Sequence, residues 1–380
     1  MLTAPDATFG LLLATLRPPG QSGRRETIGQ IASGPIDWQR FVALANRHRV
    51  GPLAVNGLTE AGVTLPPDLP ARFVAASERA LIAEMAMARE LLRLTGLLAA
   101  GGIGVNVLKG PALSLRAFGR LGLRTYRDLD LLVPEDRVVA ALAIIVAADY
   151  EMVEPAADAV GAVQRWIGEH KDCVVRHRRT GLIVELHWRL FDNRTLLPLS
   201  GCGVPVALGM APLTDVLVLP ADCEFRYLCL HGALHGWSRL RWLADLNAIV
   251  ASDVSTVSRV IGADECAIAP AVAQALILCR DLLGAILLPE LDRRLARSTR
   301  GKWLARLAWR ELRRSDTNEI EAVRFASMIK NMSHYAMIDD VAGVMAELRF
   351  DLSVMPRNAP ASEQARGRLG GWIARRLGRD

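Results

Sequence analysis

The sequence predicts an α+β fold, equally describable as α/β: a small mixed sheet set between two helical segments. Three observations carry this. Residues 1–100 show apolar residues at helical spacing. Between 101 and 197, short apolar or alternating runs are bounded by Gly, Pro and Asp, as strands are. From Phe225 onward the helical spacing returns. The chain thus divides into an N-terminal helical segment (1–100), a sheet core (101–197), a helical domain (198–352) and a flexible basic tail (353–380).

Asp37 is placed to cap a helix over Trp38–His48, with Phe41, Val42 and Ala45 on one face. Pro66, Pro67 and Pro70 mark a break. Ala75–Ala99 reads as one long helix, ended by Gly101-Gly102. Gly104–Leu108 is almost wholly apolar, as a strand covered on both faces should be. Lys109-Gly110-Pro111 follows, and Pro suits the first turn of a helix. Such a strand–turn–helix junction turns free N–H groups toward an anion.

An Arg-rich loop then leads into Asp128-Leu129-Asp130-Leu131-Leu132-Val133. Strand side chains alternate, so Asp128 and Asp130 share one face while Leu129, Leu131 and Val133 share the other. Two carboxylates this close repel unless a cation sits between them. Pro134 begins a helix through Ala148, with Glu135 and Asp136 at its positive end, and Asp149-Tyr150 terminates it. Ala156–Gly168 reads as a further short helix. Lys171–Arg178 and Leu182–Leu190 read as a hairpin turning at Arg179-Thr180-Gly181. In its second strand Glu185 and His187 share a face opposite Val184, Leu186 and Trp188. Burying that apolar face brings the strand into the Asp-bearing sheet, with the Glu185 carboxylate about 4–7 Å from Asp128 and Asp130, a spacing that bridging cations allow. An exposed hairpin residue is the other reading of Glu185.

Pro198–Pro220 reads as a connector, and Phe225–Val250 as helical. His231 and His235 lie one turn apart on one face. No Glu stands beside the first of them, which excludes the His-Glu-x-x-His protease arrangement. Arg239, Arg241, Trp242 and Asp245 follow; either they contact a substrate or they satisfy one another between helices. Ala267–Ile286 and Leu291–Arg314 are further helices. The tail 365–380 mixes Trp372, Ile373 and Leu377 with five Arg.

The ordered set Leu108-Lys109-Gly110, Arg124, Asp128-Leu129-Asp130 and Leu131-Leu132-Val133 resembles the minimal nucleotidyltransferase superfamily, and most closely its uncharacterised nucleotidyltransferase branch. Val184-Glu185-Leu186-His187-Trp188 and the helix around His231 extend the resemblance over the first two thirds of the chain. The superfamily turn is usually Gly-Ser or Gly-Gly; here Pro111 removes one N–H and Lys109 offers a charge instead. The resemblance implies transfer of a nucleotidyl group from an NTP, in our reading ATP, to a hydroxyl or phosphate acceptor that is a small molecule, peptide or protein. It implies Asp128, Asp130 and Glu185 as catalytic residues and ligands of one or two Mg²⁺ ions, which favour hard oxygen donors. It assigns the nucleotide to Lys109, Gly110, Arg124, His187, His231, His235 and Arg241. Two other readings share the same site: a tailoring transferase moving another group, such as a sugar, onto a peptide or saccharide, and a catalytically silent nucleotide-binding module.

Composition sets outer bounds. Net charge is +6 and pI about 9.2, and 51% of residues are hydrophobic. Of 46 basic residues only Lys109, Lys171, Lys302 and Lys330 are Lys. The basic residues are scattered and few aromatics interleave with them, which argues against a nucleic-acid partner. Cys173, Cys202, Cys223, Cys229, Cys266 and Cys279 form no Cys-x-x-Cys and read as buried thiols of a reducing compartment. No transmembrane run or signal peptide is expected, so the expectation is a cytoplasmic protein.

Overall fold

A mixed seven-stranded sheet organises the protein, in the order β3-β4-β5-β2-β1-β7-β6. The structure is a computed structural model that describes residues 2–65, 71–155, 160–262, 269–313, 335–338 and 341–353. Pro66, Pro67 and Pro70, the start of the helix expected over Ala156–Gly168, Cys266, and the tail from 354 onward lie outside the described residues.

Helices α1 (Ala7–Thr15), α2 (Arg24–Ala32), α3 (Trp38–Arg47) and α4 (Gly51–Glu60) precede the long α5 (Ala71–Ala100). Asp37 caps α3 as its position predicts, accepting from the Arg40 N–H at 2.9 Å. β1 (Asn106–Val107) is shorter than the apolar run that predicts it, with Asn106 paired to Leu132 and Val107 to Leu131. Then come α6 (Pro111–Phe118), β2 (Asp128–Leu132), α7 (Val138–Ala147), β3 (Tyr150–Glu154), α8 (Val160–Glu169), β4 (Asp172–His177) and β5 (Ile183–His187). The helix expected from Pro134 starts with a 3₁₀ turn over Glu135–Arg137. β3 is an addition to the sequence reading: Asp149 adopts a left-handed backbone (φ 75°), and the chain reverses there to pair with β4.

The expected connector also contributes to the sheet. Its short strands β6 (Val206–Ala207) and β7 (Leu217–Val218) pair antiparallel, and β7 runs parallel beside β1. Helices α9 (Ala221–Leu234), α10 (Leu240–Ser252), α11 (Val254–Ile261), α12 (Pro270–Leu283), α13 (Pro289–Arg297), α14 (Thr299–Leu312) and α15 (Val341–Ser353) follow. The helix read over Phe225–Val250 is therefore two. Gly236 and Trp237 both take positive φ, and the Trp237 indole lies against Gly232, where a Cβ would come within 2.5 Å of the ring. Only glycine fits there, so the break and the packing require each other.

Each face of the sheet meets a different core. Leu129, Leu131, Val184, Leu186 and Trp188 pack with Leu91, Leu94 and Leu98 of α5 and Leu142 and Ile145 of α7. Leu108, Leu132 and Leu190 belong to a larger core in which α1, α3 and α4 join α9, α10 and α12. The first helices of the chain thus pack against its later ones. Cys202 and Cys223 form a disulfide, which corrects the reading of every cysteine as a thiol; Cys173, Cys229 and Cys279 are buried thiols. Among the described residues no helix is long and apolar enough to cross a membrane.

Candidate active site

Strand register assembles the carboxylates. β2 and β5 run parallel, with Asp130 opposite Glu185 and Leu132 opposite His187. Alternation sends the apolar partners into the core, leaving Asp128, Asp130, Glu185 and His187 on the other face. β4 pairs antiparallel with β5 and sets Asp172 opposite His187. Asp130, Glu185 and His187 each offer a donor atom, and these atoms all lie within 4.8 Å of one another. His187 Nε2 is 3.4 Å from Asp130 Oδ1 and 3.4 Å from Glu185 Oε2, while its Nδ1 is 3.7 Å from Asp172 Oδ2. Asp130 is 2% exposed and His187 1%.

Lys109 enters through the backbone. Its neighbour Leu108 donates to the Asp130 carbonyl at 3.1 Å, extending the β1–β2 ladder, so Lys109 emerges beside the Asp130 side chain. Its Nζ lies 2.8 Å from Asp130 Oδ1 and 5.9 Å from the centre of the Tyr227 ring. Burial works against the ammonium charge, but Asp130 and more distantly Glu185 outweigh it and hold the Lys109 pKa above its ordinary value. Burial likewise works against the Asp130 charge, yet Lys109 and His187 hold that carboxyl below the usual range. His187 is raised despite burial and the repulsion of Lys171, because Asp130 and Glu185 favour its charged form. Asp128 is raised by burial and by the negative charges of Asp130 and Glu185.

Gly110 (φ 66°, ψ −138°) makes the turn into α6 in a conformation that side chains rarely adopt. Its carbonyl accepts from Arg124 Nη1 at 2.9 Å. The rest of the Arg124 guanidinium grips Asp245 of α10 by two bonds, Nε to Oδ1 at 2.7 Å and Nη2 to Oδ2 at 2.9 Å. Arg124 therefore fastens the turn to the helical wall. Arg241 donates to the Thr125 carbonyl. Burial and the nearby charge of Arg124 push its pKa down to about 10.

These groups line one cavity of about 580 Å³. Lys109, Gly110, Arg124, Asp128, Asp130, Glu185, His231, His235 and Arg241 all reach its wall, and His187 lies buried beside Asp130 and Glu185 without reaching it. On the helical side His231 and His235 have ring centres 4.5 Å apart, and both pack on Trp242 at 5.6 and 5.1 Å. The structure adds wall residues that the sequence reading passed over: Lys171, Asp172, Asn193 and Glu347. Asp172 was within reach of that reading, since a hairpin turning at Arg179-Thr180 sets residue 172 opposite 187. Glu347 was not: it lies in α15, far along the chain, and accepts from Asn193 Nδ2.

The donor set suits a divalent cation. Two carboxylates and an imidazole converge, and neither ring nitrogen of His187 makes a well-formed hydrogen bond. Asp128 stands outside this tight group but on the same wall. The mixed sheet, the strand–turn–helix with its Lys and the Asp/Glu/His group meet at this one cavity. A family model described as uncharacterised nucleotidyltransferase matches residues 34–284, and the chain belongs to that family. No curated protein and no solved structure matches the chain.

Proposed function

We infer that the protein moves a nucleotidyl group from an NTP, ATP in our reading, to an acceptor hydroxyl or phosphate, using Mg²⁺ held at the carboxylate wall. The observation that carries this is the register of Asp130 opposite Glu185, over His187 and beside Lys109. Asp130 and Glu185 would hold the cation, with His187 as a third donor and Asp128 completing the wall. When bound, the cation supplies neutralisation of the triphosphate charge and polarises its oxygens.

The residues of the chain do the rest. Lys109 would exchange Asp130 for a phosphate oxygen, a short move for a flexible four-carbon stem. The turn at Gly110 would let the phosphates approach the start of α6. Arg124 would keep that turn fixed rather than touch the nucleotide. An acceptor oxygen forms a bond to the α-phosphorus, the α–β bridging bond breaks, pyrophosphate leaves, and the acceptor proton passes to Glu185 or Asp128.

The test is incubation with ATP labelled at the α-phosphate and Mg²⁺, with detection of pyrophosphate and labelled product. Transfer of label that disappears in Asp130→Asn supports the reading. Transfer of a group other than nucleotidyl, or nucleotide binding without turnover against any acceptor tried, replaces it with the tailoring transferase or the silent module.

A further inference from the structure

A second cavity, of about 670 Å³, adjoins the first. Its volume is that of a small-molecule site. Arg47, Arg49, Arg127 and Arg239 line it, Arg47 with both Nη atoms on the carbonyls of Glu311 and Leu312 and Arg239 with Nη1 on that of Arg47, and among the described residues no carboxylate does. Phe73 and Tyr126 give it an aromatic wall. Arg49 and Tyr126 also line the carboxylate cavity, so the two spaces share a partition.

Two further features mark this partition. Arg49 has a left-handed backbone (φ 55°), uncommon for a long side chain, and its carbonyl accepts from Thr125 Oγ1 at 3.0 Å. The residues that follow, Gly51 and Pro52, open the ten-residue helix α4 and line the same cavity, where Val50 provides no side-chain cap. The positive end of that helix adds to the arginine charge.

We propose that this cavity is the acceptor subsite, and that the acceptor carries a phosphate or similar oxyanion beside an apolar, ring-like body. The exposed Arg127 guanidinium matches phosphate oxygens two at a time, the charge of the other arginines stands behind it, and the aromatic wall accepts a flat apolar group. The acceptor's reacting oxygen then crosses the Arg49–Tyr126 partition toward Asp128, Asp130 and Glu185. The acceptor role rests on the nucleotidyl-transfer reading; the binding site itself does not.

Phenyl phosphate is the probe, titrated by calorimetry into the full chain with a chelator present, so that no cation bridges it to the carboxylates. Phenyl phosphate should bind, inorganic phosphate more weakly, and phenol not at all. Arg127→Glu should weaken phenyl phosphate by about tenfold or more, Arg127→Lys should retain most of the affinity, and Lys109→Ala should change it by less than about twofold. Arg127 is exposed, so these variants should melt with wild type. No binding in the millimolar range overturns the site. So does a loss caused by Lys109→Ala with Arg127→Glu unaffected, which would seat the probe among the carboxylates. A second titration adds Mg²⁺–ATP. Simultaneous binding supports an acceptor subsite; mutual exclusion overturns it and gives the cavity to the nucleotide. If phenyl phosphate fails while Mg²⁺–ATP still binds in an Asp130-dependent way, this inference alone falls. If phenyl phosphate binds but Mg²⁺–ATP does not, the acceptor role falls together with the nucleotidyl-transfer reading.

Discussion

The strand wall and the helical wall of the carboxylate cavity both carry polar residues but use them differently. On the strand wall Asp128, Asp130 and Glu185 share one face with no Arg among them, and Lys109 Nζ and His187 Nε2 are the nitrogens nearest to Asp130. On the helical wall pairing dominates: Arg124, reaching over from the loop before β2, is locked to Asp245, His231, His235 and Trp242 stack ring on ring, and Arg241 is held by the Thr125 carbonyl. A strand ladder imposes neighbours by register, whether they attract or repel. A helix pair is free to choose neighbours that attract. Carboxylates crowded together by register, rather than paired by choice, are therefore the better sign of a ligand site.

The sharpest way to break this comparison is at Asp130. Asp130→Asn should lower nucleotidyl transfer by roughly 10³-fold or more, since a lost cation forfeits several kcal/mol of charge stabilisation. Its fold should persist, although Lys109 loses its partner. Turnover within about tenfold of wild type would move the reacting centre away from β2.

Arg124 is the counterpart on the helical wall, and there the effect should fall on stability. Arg124→Ala leaves Asp245 buried without its partner, which typically costs about 3–5 kcal/mol. Denaturant unfolding of Arg124→Ala, Asp245→Ala and the double variant should give a strongly non-additive cycle. Additive losses would mean that the pair is not a brace, and would return Arg124 to the phosphates.

How much of this was legible in the sequence follows from the same contrast. Alternation alone put Asp128 with Asp130 and Glu185 with His187, because a strand has a period of two and one face had to be buried. That β2 and β5 are neighbours followed from the apolar face of Val184, Leu186 and Trp188. Arg124 was harder. An Arg ahead of an Asp-bearing strand looks the same whether it holds a phosphate or Asp245, and the decision rests with a helix 121 residues away. The same holds for the packing of α1, α3 and α4 onto α10 and α12, since an amphipathic face names no partner. β6 and β7 were invisible because two-residue strands carry no period. The disulfide was missed because 21 residues of separation give no spacing signal.

Lys109 sharpens the comparison from inside the strand wall. As the resident counter-ion of Asp130 it competes with a metal and assists a triphosphate. Lys109→Ala should therefore leave the affinity for the cation alone unchanged or higher, while Mg²⁺–ATP binds about tenfold more weakly. Lys109→Arg should restore only part of this, because a planar fork does not replace a compact ammonium. Equal weakening of both ligands would show that Lys109 merely supports the fold.

Glu224 tests the helical side by pH. It is buried in α9, 2.9 Å from Arg116 Nε. Burial pushes its carboxyl up to about 7, against the pull of Arg116 and Arg124. The folded state thus holds this proton more tightly than the unfolded chain does. The contribution to stability is full below the ordinary carboxyl range and is lost as pH rises through about 7. The melting temperature should fall between pH 5 and pH 8 more steeply for wild type than for Glu224→Gln, which has no proton to lose. Parallel profiles would remove Glu224 as the source.

The smallest effect is expected at His231 and His235, where the sequence invites the largest. Two histidines one turn apart on a cavity wall look like ligands. Their rings instead form a stack, with Tyr227 on one side of His231 at 5.8 Å and Trp242 against both. Burial, followed by the charges of Lys109 and His235, drives the His231 pKa well below its ordinary value, so the ring stays neutral and brings no charge to a phosphate. Phenylalanine keeps the stacking surface and removes both nitrogens. His231→Phe and His235→Phe should therefore bind Mg²⁺–ATP within about threefold of wild type, well under 1 kcal/mol. His231→Ala should instead lose about 0.5–1.5 kcal/mol of stability, the value of an aromatic pair. A tenfold fall in nucleotide affinity for His231→Phe at unchanged melting temperature would overturn this. A ring nitrogen would then touch the substrate, and the helical wall would join the strand wall in the chemistry.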